Sequence, residues 1–86
     1  MKTLVVTIGA TATQVTTQNL YASVMVVKAS GTDYLGDSTV SSTAGIPLST
    51  TPLVIPNYTP RGIPLNSLYV SGTQNDKVIF LYEPSA

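Results

Sequence analysis

The chain has 86 residues, four basic and four acidic, with no cysteine and no histidine. That excludes disulfides, thiolate metal sites and imidazole chemistry. A net charge of zero with no basic cluster argues against a nucleic-acid partner and against a basic membrane-surface segment.

The apolar runs are dominated by Val, Ile, Thr and Tyr, whose branched or aromatic side chains suit a pleated surface. Six prolines and six glycines are spread along the chain and leave no uninterrupted helical window, so the fold class is all-β. The first strand is expected at residues 3–8. The opening "MKTLVVTIG" carries one Lys and an apolar run too short for the core of a signal peptide. No stretch reaches the ~18 apolar residues of a membrane span. A short polar strand follows at 14–17, and then the longest, at 19–29, closed by "SGTD". Short strands are expected at 34–36 and 39–42, a Pro-bounded one at 52–55, and two more at 67–71 and 77–83. The polar "SGTQNDK" at 71–77 reads as a tight hairpin loop between the last two. Seven or eight short strands at this spacing predict one small β-sandwich or barrel over residues 1–86.

Two strands lack alternation. "ASVMVVKA" and "KVIFLYE" place apolar side chains on both faces, because successive strand residues point to opposite sides. One face fills the core, and the other needs a cover. A subunit interface is one solution, with Val24, Val26, Phe80 and Tyr82 taking part. The other is that Leu53, Ile55 and Tyr58 fold back over it.

Residues 49–64 form a Pro-rich extended arm or loop. Proline has no N–H and cannot sit in a central ladder, yet this region is apolar enough to pack. The tetrapeptide Gly-Ile-Pro-Leu brackets it, at 45–48 and 62–65. Ile46 and Leu48 at one end, Leu53, Ile55 and Tyr58 between, and Ile63 and Leu65 at the other are interface candidates. The arm is expected to reach a neighbouring subunit or a larger shell, so that removing residues 49–61 leaves a folded sandwich that assembles poorly.

For catalysis the inventory is thin. Ser and Thr have no imidazole to activate them. Asp33 and Asp37 are the candidate carboxylate pair, but both lie in turn sequences, where Asp bonds its own backbone. Asp33, Asp37 and Asp76 match no calcium-loop pattern. The expectation is a protein that is not an enzyme and has no metal or cofactor. The five tyrosines suit packing, a protein interface or a sugar platform.

Residues 34–48, "YLGDSTVSSTAGIPL", and 65–83, "LNSLYVSGTQNDKVIFLYE", together resemble a group of short all-β proteins of tailed bacteriophage particles. Gly36, Asp37, Ser38, Val40, Gly45 and Leu48 carry the first part. Leu68, Tyr69, Val70 and Gly72, then Asp76, Val78, Leu81 and Tyr82, carry the second. The Pro-rich insert at 50–64 departs from that pattern. The resemblance implies a virion structural role on the capsid surface, as a decoration (cement) protein. It implies a jelly-roll-like subunit in a homotrimer, seated on the major capsid protein or another virion protein. The alternative is a carbohydrate- or receptor-binding module of a phage fibre or tail.

Overall fold

A computed structural model describes residues 1–56 and 62–84 of the chain. Nine strands follow in order: β1 (Lys2–Thr7), β2 (Thr13–Gln14), β3 (Tyr21–Ala29), β4 (Asp33–Gly36), β5 (Ile46–Leu48), β6 (Leu53–Ile55), β7 (Ile63–Pro64), β8 (Tyr69–Gly72) and β9 (Lys77–Pro84). One 3-10 turn, Leu65–Ser67, separates β7 from β8. There is no α-helix among the described residues.

The strands form two antiparallel sheets. The first has the order β1-β9-β3-β6, with β7 also paired to β3, and the second the order β2-β8-β4-β5. Setting β7 aside, the first strand pairs with the last, the second with the next to last, and the fourth with the fifth. The chain is thus one long nested hairpin rolled into two layers. That wiring is the jelly roll, an all-β solution that buries one face of each sheet against the other.

Alternation explains what is inside. On β9, Val78, Phe80 and Tyr82 point inward, and on β3 so do Met25, Val27 and Ala29. Leu35, Leu48 and Val70 come from the second sheet, and all nine join one hydrophobic cluster. A bulge on β3 between Ala22 and Val24 resets the phase, so that Val24 faces outward opposite Glu83.

Three sequence expectations need correcting. Residues 39–42 are not a strand. The Val40 N–H donates to the Asp37 carbonyl at 3.0 Å, closing a turn that buries the Val40 side chain. Val40 fits there because Gly36 and Gly45 have no Cβ; one at Gly45 would meet Val40 Cγ2 at 2.7 Å and Tyr34 Cβ at 2.9 Å. Next, residues 71–77 do not close a hairpin, since β8 and β9 lie in different sheets. They form a crossing between layers, with Asn75 at φ 76°.

The third correction concerns the arm. Leu53 and Ile55 belong to β6, which pairs with β3 in register Val27↔Leu53 and Met25↔Ile55. Ile63 belongs to β7, opposite Ala22. These residues pack against the chain's own core and do not extend away from it. Residues 49–61 therefore cannot be removed without deleting an edge strand. Tyr58 lies outside the described residues.

Candidate functional site

The outer face of the first sheet is the most distinctive surface. The register aligns Thr3, Leu81, Val26 and Val54 in one row across β1, β9, β3 and β6. One step along, Val5 stands beside Ile79 and then Lys28. Val54 is 61% exposed and Val5 55%, and Ile79 and Leu81 are also exposed, while Val24 and Val26 are half-buried. The strip ends at polar groups. Lys77 Nζ donates to Thr7 Oγ1 at 2.8 Å at one end. At the other, the N-terminal ammonium of Met1 lies 3.3 Å from Glu83 Oε2.

Of the expected interface residues, Val24 and Val26 lie on this face. Ile46 is exposed too, but on the edge strand β5 of the other sheet. Leu48, Leu65, Phe80 and Tyr82 do not line a surface. Each is buried in the chain's own core, because each takes the inward phase of its strand or turn. Leu53, Ile55 and Ile63 are half-buried against that core. The residues missed were Val5, Val54, Ile79 and Leu81. A period-2 count from Val78 or Val26 separates inner from outer positions on one strand, but only the pairing places the four strands side by side.

The second sheet carries a smaller feature on its outer side. Gly36 lies opposite Tyr69, and Tyr34 opposite Ser71 and Pro47. Tyr34 and Tyr69 are thus diagonal neighbours, both half-buried, and the Val40 side chain packs at Gly36 beside them.

Asp33 and Asp37, paired in sequence reasoning, are apart in character. Asp37 is exposed, and its Oδ1 accepts from the Thr39 hydroxyl at 2.6 Å and the Thr39 N–H at 2.9 Å. The Thr39 hydroxyl, then its N–H, holds the carboxyl below its ordinary value of 3.8. Asp33 is fully buried, and its neighbour is Asp76. Among the described residues, no three acidic, His or Cys side chains gather where they could hold a metal ion. No described helix is long and apolar enough to cross a membrane. Comparison with protein-family models, with curated proteins and with solved structures finds no match.

Proposed function

We propose that the protein is a non-enzymatic structural component of a bacteriophage particle. In this reading it is a capsid decoration protein that self-associates, as a homotrimer, and seats on the major capsid protein or another virion protein. The observation that carries the reading is the outward-facing apolar row Leu81, Val26 and Val54, flanked by Val5 and Ile79. A row of this kind gains stability when water is removed from it. The resemblance in residues 34–48 and 65–83 points to the same class, and jelly rolls recur among viral capsid domains, although a fold alone assigns no function.

Size sets a condition on the contact. Four strands about 4.8 Å apart and a central strand of eight residues span roughly 20 Å by 26 Å, on the order of 500 Å² in projection. A stable interface takes about 800 Å² per partner. The apolar face therefore supplies the centre of the contact, and strand edges or the shell supply the rest. Light scattering on the purified chain tests the reading. A trimer at micromolar concentration is expected, and a stable monomer that also fails to bind capsids removes it.

Tyr34 and Tyr69 favour a second reading, a carbohydrate- or receptor-binding module of a fibre or tail. Half-buried tyrosines, apolar with a polar tip, suit a binding surface, and Val40 fills the space at Gly36 beside them. A glycan array separates the two. Binding lost in Tyr69→Ala supports the module, and an empty array removes it.

A further inference from the structure

Asp33 sits at the start of β4 with its side chain turned into the sandwich and no exposed surface. Its Oδ1 accepts the Thr73 N–H at 3.1 Å. Its Oδ2 is buried and has no hydrogen-bond donor. A buried oxygen left in that state is costly. The neighbouring side chain that bears on the Asp33 carboxyl is that of Asp76, through a side-chain hydrogen bond and its charge. The Asp33 carboxyl is closely enclosed, since a Cβ at Gly72 would overlap it, while Asp76 is half-buried, with a Cβ at Gly31 lying 2.8 Å from its Oδ2.

Around the pair, the crossings between the two sheets are tied together. The Ile8 N–H donates to the Asp76 carbonyl, the Asn75 N–H to the Ile8 carbonyl, and the Ser30 N–H to the Lys77 carbonyl, at 2.8 to 2.9 Å. Among the described residues, no cation is paired with the carboxyls. Lys77 follows Asp76 but spends its ammonium on Thr7, Lys28 stands on the outer face, and β5 and β8 carry no charged residue.

We propose that Asp33 and Asp76 share a proton, and that this carboxyl pair is a pH-sensitive latch closing one end of the sandwich. One proton turns two facing acceptors into a donor and an acceptor and satisfies Oδ2. Two ionised carboxylates at that spacing repel instead. Burial first, then the hydrogen bond to Asp76, holds the Asp33 carboxyl above its ordinary 3.8. The sign follows: the folded chain holds this proton more tightly than the unfolded one. The stabilisation is fully present below 3.8 and is lost as pH rises through the higher folded value.

Asp33→Asn places a permanent N–H donor opposite Asp76 and keeps an oxygen for the Thr73 N–H. Thermal melts of the full chain should show this variant about 5 °C more stable than the parent at about pH 7.5, the gap closing toward about pH 4. A variant no more stable at neutral pH, or a gap that ignores pH, overturns the latch. So does a rise in the parent's Tm on adding millimolar calcium that Asp33→Asn abolishes, which would put a cation where the proton is placed here. Asp76→Asn gives a second readout. The Asp33 carboxyl carbon should titrate above 3.8 in the parent and at lower pH in the variant, and no movement counts against the shared proton.

Discussion

At the residue scale, similar turn sequences give opposite electrostatics. "GTDY" and "LGDS" each place an Asp at a turn, and local chemistry treats the two alike. What separates them is burial first, and then Asp76, far along the chain, which only the closed sandwich brings to Asp33. Asp37 answers to Thr39, two residues away, and that part was legible. Its stabilisation is present above 3.8 and fades as pH falls through the lowered value, the reverse of Asp33. Thr39→Val, which removes the hydroxyl donor, should move the Asp37 carboxyl titration back up toward 3.8, as read by carboxyl carbon shifts. Gly72 is a second residue whose role the sequence hides. Its φ of 153° and its contact with the Asp33 carboxylate both demand the missing Cβ. Gly72→Ala should lower stability by on the order of 2–3 kcal/mol in urea denaturation.

At the element scale, long apolar runs announced themselves and short paired segments did not. β1, β3 and β9 fall within a residue or two of the ranges expected from their Val, Ile and Tyr content. β5 and β7 were missed, because each contains a proline and is only three or two residues long. Both contain the Ile-Pro of a Gly-Ile-Pro-Leu copy. The two copies end alike, with Leu48 and Leu65 buried, yet begin differently: Gly62 takes φ 95°, while Gly45 makes room for Val40. The repeat is one way of sealing a sandwich margin used twice. Leu48→Ala and Leu65→Ala should each cost about 2–5 kcal/mol, and Ile46→Ala much less, since Ile46 is 53% exposed. Deleting residues 49–61 removes β6 and uncovers Met25 and Val27, which face it. That deletion should lower the melting temperature outright and not merely block assembly.

At the scale of the whole molecule, the sandwich was readable and its wiring was not. Strand spacing suggests two layers, but no local signal says that Lys2 faces Tyr82. The candidate face inherits that limit, because Val5, Leu81, Val26 and Val54 come from four strands scattered along the chain. Val26→Asp puts a charge at the middle of the row. An unpaired charge buried between subunits should weaken self-association at least about a hundredfold, measured by sedimentation, while the fold, whose core lies on the opposite side of β3, is retained.

Pairing the first strand with the last also fixes an order of events. Synthesis makes β1 before the other eight strands and its partner β9 after them. Until then β3 also lacks its neighbour on one side. No portion of the chain that lacks β8 and β9 can close either layer, so folding proceeds on the roughly millisecond-to-second scale of topologies built from distant contacts. A chain broken off before Lys77 would present two unpaired edges to its neighbours, and would meet them as a substrate for aggregation or proteolysis.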